Sequence, residues 1–298
     1  MTEPVILWFR NDLRLSDHAA LAEALETGRP VLPVFILDDE TPGRWATVGA
    51  ARWWLHHSLS ALRDDLAERG ATLVLRRGNA LEVMPRLVAE TGAAAVFTGG
   101  SAEPWARALD AAVAERLGPV RLHRKRTMML FNPETLRNKS GTPYGVYTPF
   151  SNACLDTGGP RALLPVPARI PCPAAPPSDR LEDWHLLPTK PDWAGGLRAT
   201  WPPGEAGAHA RLVSFLDERL AQYAAKRDHP DVDVTSMLSP HLRFGEISAM
   251  QVWDAANRQE PSAARDKFVR ELLWREFSTH LLWHHPTLPE TPLRTEFA

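Results

Sequence analysis

The chain is short of the signals that fix a function by themselves. It has two cysteines, Cys154 and Cys172, which form neither a metal-spaced nor a redox pair. A disulfide framework and a metal site are therefore not expected, and a reducing compartment is. No apolar run is long enough to cross a membrane, and the chain opens directly into a strand-like run without a secretory leader. A cytoplasmic protein with no membrane partner is expected. The formal net charge of -2 gives no bulk attraction to nucleic acid, so DNA binding would need a local basic patch. No G-x-G-x-x-G follows the first strand-like run, which removes the usual dinucleotide fingerprint. Internal repeats are absent.

What is present is a globular composition, 44% hydrophobic and 23% charged, over 298 residues, enough for one large or two ordinary domains. The counts of 11 tryptophans and 27 prolines are both high. Most of the tryptophans read as core and interface packing; one on a ligand face would stack on a ring.

Apolar strand-like runs at 4–9, 31–37, 72–75, 93–98 and 120–123 alternate with helical patterns at 19–26, 49–69, 80–90 and 103–117. That alternation predicts a parallel sheet with helices on both faces, with ligands beyond the carboxyl ends of its strands. Ser16 or Asp17 is the expected cap of the first helix. Arg10, Asp12 and Arg14 follow the first strand and read as an ion-paired loop in preference to a ligand contact. Gly99-Gly100-Ser101 reads as an ordinary turn. A short helix is expected to start at Thr148-Pro149-Phe150. Residues 163–207 are dense in proline, with Trp184, Trp193 and Trp201 interspersed. They predict an ordered connector draped over the surface. Beyond it only helical patterns remain, at 208–225, 240–244, 248–257 and 262–284.

Two stretches carry chemistry. Thr235-Ser236-Met237-Leu238-Ser239-Pro240 packs three hydroxyls into five residues. One reading is two helix caps, Thr235 or Ser236 and then Ser239, with Pro240 at the first helical position. The other is an anion-holding loop, since hydroxyls and free N–H groups beside a helix start suit a phosphate. In the second stretch Glu271, Trp274, Arg275 and Ser278 stand at i, i+3, i+4 and i+7 and share a helix face. A carboxylate, an indole and a guanidinium together suit an aromatic, charged ligand, or else form an ion pair beside a core tryptophan. Arg270 and Arg275 with Lys226 and Arg227 make a local basic cluster able to hold a DNA backbone, or a solvated charged face.

The order of these pieces resembles the photolyase/cryptochrome family. Trp8-Phe9-Arg10-Asn11-Asp12-Leu13-Arg14-Leu15-Ser16-Asp17 is similar to the family's opening. Gly141-Thr142-Pro143-Tyr144-Gly145-Val146-Tyr147-Thr148-Pro149-Phe150 is similar to its T-P-F segment. Residues 235–248 resemble its flavin-phosphate loop, and Glu271-Leu272-Leu273-Trp274-Arg275-Glu276-Phe277 its E-L-x-W-R-E-F helix. The type resembled is a bacterial class I cyclobutane pyrimidine dimer photolyase. The resemblance implies a Rossmann-like α/β antenna domain over 1–130, a Pro-rich connector over 131–206 and the first half of an all-α FAD-binding domain over 207–298.

Position by position, the resemblance implies that Tyr223, Thr235, Ser236, Met237, Leu238, Ser239, Phe268 and Arg275 hold FAD. Phe268 falls where the family often has Trp. Glu271 and Trp274 would receive the flipped dimer as the catalytic pair, and Arg227, Arg275 and Ser278 would join them in binding DNA. The implied reaction is light-driven, with an electron passing from excited, reduced FAD to the dimer and back. Glu103 aligns with a carboxylate that contacts a folate antenna in some relatives, so a folate, a deazaflavin or no antenna are all open. A cryptochrome-like blue-light receptor without repair is the alternative function. The implied partner is dimer-containing DNA, and a monomer is expected. The family's later motifs, among them G-Y-P-x-V-D-A-x-M-R-x-L, do not occur. The 298 residues alone are therefore expected to bind FAD weakly or not at all and to lack repair activity.

Overall fold

The computed structural model describes residues 2–294 and 296; Met1 and, from the expected 207–298 segment, Thr295, Phe297 and Ala298 lie outside the described residues. Strands β1 (Val5–Phe9), β2 (Val31–Leu37), β3 (Val74–Arg77), β4 (Ala95–Gly99) and β5 (Arg121–Lys125) form one parallel sheet in the order β3-β2-β1-β4-β5. Val5 lies opposite both Val31 and Ala95, which places β1 at the centre. Its side chains alternate between two buried faces. Val5, Leu7 and Phe9 pack with α1 (Ala19–Glu26) and α2 (Ala50–Glu68). Ile6 and Trp8 pack with α3 (Ala80–Thr91) and α4 (Pro104–Arg116). Burial on both faces is why the strands read as unbroken apolar runs.

The sheet's two edges are protected differently. On β5, Arg121, His123, Arg124 and Lys125 leave a charged, partly exposed edge, which discourages pairing with another chain. At β3, the connector covers the edge: Leu75 N donates to Ser178 Oγ at 2.9 Å, and Asp179 N donates to Leu75 O at 2.9 Å. Trp184 and Ile170 of this strap pack into the α1/α2 core.

The remaining α-helices all follow the sheet: α5 (Tyr147–Asp156), α6 (Gly195–Thr200), α7 (Glu205–Ser214), α8 (Leu220–Lys226), α9 (Ser239–Phe244), α10 (Ala249–Asn257) and α11 (Ala263–His284), and no further strand occurs among the described residues. The run expected as one helix over 208–225 is divided by a π-helical turn, Phe215–Arg219, whose i→i+5 spacing brings the buried Phe215 and Leu220 onto one side. A second core gathers Phe131, Phe150, Phe215, Trp253, Phe268 and Phe277. No helix of the described residues is long and apolar enough to cross a membrane.

Two expected caps are corrected. His18, not Ser16 or Asp17, caps α1, its Nδ1 accepting from Leu21 N at 3.1 Å. Tertiary partners claim the other two: Ser16 donates to Glu205, while Asp17 takes Arg161, Leu164 N and Ser248 Oγ. At α9 the cap position falls to Leu238, without a side-chain bond, and Ser239 is already helical beside Pro240.

The opening loop is the seam between the two bodies. Leu13 N donates to Phe244 O at 3.0 Å, and the fully buried Arg14 donates to the carbonyls of Ser16, Asp17, Thr127 and Gly245. Glu205 of α7 accepts from Leu15 N at 2.7 Å and Ser16 N at 3.1 Å. Burial acts to raise the Glu205 pKa, but hydrogen bonds from His209, Ser16 and these amides outweigh it and hold the carboxyl at about 2.

Candidate functional site

Beyond the carboxyl ends of β1, β2 and β4 lies a cavity of about 540 Å³. It sits where the strand order reverses around β1, the usual ligand position on such sheets. Trp8, Phe35 and Trp105 give it an aromatic wall, and Ser239, Arg243 and Arg275 of α9 and α11 close it from the helical body.

Most of its charged groups are already paired. Arg10 donates to Asp110 of α4 at 2.8 Å and to the Gly99 carbonyl, so it is paired structurally, though outside the opening loop and not with Asp12 as the neighbouring charges suggested. Burial acts to raise the Asp12 pKa, but His18 beside it at 3.1 Å and the Arg10 amide pull it far below the carboxylate range. Asp38 accepts from Ala80 N at 2.8 Å and from Glu40 N and Thr41 N at 2.9 Å. Gly99 is required by space, because a Cβ there would collide with Asp12 and Thr127. Two buried polar atoms of the lining keep no partner among the described residues: the donor Trp8 Nε1 and the acceptor Glu103 Oε2.

The hydroxyl loop stands on the helical body. Thr235 and Ser239 are exposed, and neither hydroxyl makes a hydrogen bond among the described residues; Ser236 Oγ makes one long contact with Leu238 N, 3.4 Å. Met237 adopts φ +49, a left-handed backbone that turns the chain, and its sulfur lies 3.9 Å from Arg211. Leu238 is buried in the helical core. Tyr223 is packed at 5.6 Å from Phe215 and 5.4 Å from Phe268, and Phe268 lies inside this cluster.

The predicted face of α11 is brought together in part. Glu271 pairs with Arg227 and with Lys267 at 3.3 Å, and Arg227 also reaches Tyr223 Oη at 3.3 Å. Trp274 is 45% exposed and stacks on Tyr147 with ring centroids 3.7 Å apart and planes at 6°. Ser278 donates to Trp274 O at 3.0 Å. Arg275 turns away from Glu271 and Trp274, donates to Met128 O at 3.2 Å and lines the cavity with Ser239. Burial lowers its pKa, and Glu276 beside it opposes the shift. Sequence reasoning missed Tyr147 as a site residue: it lay inside a quoted motif, and nothing in its spacing pointed to α11.

A family profile, DNA photolyase, matches residues 5–173. The deoxyribodipyrimidine photo-lyase of Agrobacterium fabrum is 43% identical over 295 residues, which cover 97% of this chain and 61% of that protein. Cryptochrome-2 of Arabidopsis thaliana is 31% identical over 98% of this chain and 51% of its own length. The crystal structure of a bacterial class III photolyase from Agrobacterium tumefaciens superposes with a TM-score of 0.93 at 42% identity, covering 100% of this chain and 62% of that one. The chain thus spans about three fifths of each photolyase. The solved relative is described as class III, where the motifs suggested class I.

Proposed function

We propose a function on one premise: this chain belongs to the DNA photolyase family. It serves light-dependent repair of cyclobutane pyrimidine dimers in DNA, as a monomeric cytoplasmic protein. The helical body, 207–298, holds FAD, the connector is 131–206, and the α/β domain, 1–130, houses an antenna chromophore. FAD, when bound and excited, supplies the electron that splits the dimer and takes it back.

The carrying observation is that the hydroxyls of Thr235 and Ser239 are exposed and not spent as caps. Together with Ser236 and the turned backbone at Met237 they offer donors to a diphosphate. Tyr223, Leu238 and Phe268 make the apolar floor beneath, and Arg275 supplies a cation on the cavity side. Trp274 offers a flat surface to a flipped base, and Glu271 an acceptor for its N–H groups. Arg227 and Ser278 flank that surface, toward the DNA backbone. In the free chain Glu271 neutralises Arg227, so binding of a phosphate would exchange one anion for another.

Trp274 favours repair over a receptor role, because an exposed indole serves substrate stacking. The test is binding of the chain to a thymine-dimer oligonucleotide and to its undamaged counterpart, with loss of dimer under blue light and added FAD as the second arm. Preference for the damaged strand, lost in Trp274→Ala, is expected. Equal affinity for both strands would refute the reading.

A further inference from the structure

Tyr147 occupies one face of the indole assigned above to a flipped base, and no role has been given to it. Its ring lies 3.7 Å from that of Trp274 at 6°, a van der Waals stack. Partly exposed, it is held by three contacts with α11. Its hydroxyl donates to Arg270 O at 2.8 Å, one turn before Trp274 on α11. Phe277 meets both rings edge-on, at 5.9 Å and 6.0 Å. Three residues before it, Tyr144 N donates to His280 Nε2 at 3.1 Å. Three residues after it, the fully buried Phe150 packs on Phe277 at 5.2 Å and His280 at 5.1 Å. The segment is thus fastened to α11 on both sides of Tyr147.

We propose that Tyr147 is a positioning residue for substrate: a fixed plate that holds the half-exposed Trp274 indole in one rotamer and leaves its opposite face free for a planar base. This rests on the reading of Trp274 given above. An exposed indole without such backing samples several staggered rotamers, and each misplaced one removes the surface a base would meet. The anchored stack settles that conformation before the ligand arrives, which cuts the ordering cost of binding. Phe at 147 would keep the plate and lose only the hydroxyl anchor. Leu would fill the groove without a flat face.

The test uses the whole chain with 5-fluorotryptophan, the Trp274 resonance being identified by its loss in Trp274→Phe. Wild type and Tyr147→Phe are expected to show this resonance at one ring-shifted position, and Tyr147→Leu to move it to a solvent-averaged one. Preference for a thymine-dimer oligonucleotide over undamaged DNA is expected to fall about 5-fold or more in Tyr147→Leu, within the range of one stacked base, and to survive in Tyr147→Phe. Should Tyr147→Leu fail to fold, Tyr147→Met replaces it with an unbranched, flexible chain. An unmoved resonance, or a dimer preference intact in the Leu variant, would overturn the proposal while leaving the reading of Trp274 standing. A Phe variant that behaves like Leu would overturn the plate in favour of the hydroxyl bond. Absence of dimer preference in the wild type would sink the reading of Trp274 and this role with it.

Discussion

On α11 the residues that hold the protein alternate with those offered to ligands. Glu276 and His280, one turn apart, face inward and bond backbone: Phe131 N donates to Glu276 at 2.9 Å and Tyr144 N to His280 Nε2. Because Nε2 accepts, neutral His280 carries its proton on Nδ1, and a second proton would break the bond to Tyr144. Burial, and after it the neighbours His284 and Arg137, push the His280 pKa from 6.5 down to about 4. The unfolded chain therefore takes up this proton first as the pH falls, so stability drops between 6.5 and about 4. In thermal melts the wild type is expected to lose more across that window than His280→Gln, whose amide oxygen can still accept from Tyr144. Equal losses would show that His280 is not the group responsible. The histidine was invisible as a structural residue in the sequence, because its partner lies 136 positions away.

Between elements, the contact that matters most is the one joining the two motifs that most resemble the family. Gly245 ends α9 at φ +67, and a Cβ there would strike the backbone of Asn11 and Asp12. Gly245→Ala therefore meets a left-handed backbone cost of about 1–2 kcal/mol and an overpacking cost of about 1–3 kcal/mol. Gly100→Ala is the control, since its added Cβ would meet only Lys125 O at 3.6 Å. Denaturant unfolding should show a large loss for the first and little for the second. The same seam explains what was legible. Strands buried on both faces announce themselves locally and were readable, as was the helical run at 248–257, but the capping box that starts it, Ser248 with Gln251, was not singled out. The cap of α1 was not readable, because α7 and the connector had taken Ser16 and Asp17. Nor was the π-helical turn, which adds no periodic signal of its own.

At the scale of the molecule, the seam sets two bodies around one cavity whose walls come from strand ends, α4, α9 and α11. No single stretch of sequence displays such a site; the alternation of strands and helices pointed to the strand ends, and the aligned Glu103 to one residue of the wall. Glu103 Oε2 and Trp8 Nε1, buried and without a partner among the described residues, suit a ligand that presents an N–H donor and an acceptor, as the edge of a planar nitrogen heterocycle does. Both a reduced folate and a deazaflavin are such rings, and absorbance titration of the chain with each distinguishes them. Glu103→Gln is expected to weaken whichever binds by about 10–100-fold, the worth of one hydrogen bond to a charged group. Because the helical body supplies Arg243 and Arg275 to the same cavity, a bound chromophore should raise the unfolding temperature of both bodies together. At 100 times the dissociation constant that linkage is worth about 2.7 kcal/mol. A shift confined to the α/β domain would mean that the ligand never reaches α9 and α11, and that the cavity is two separate surfaces.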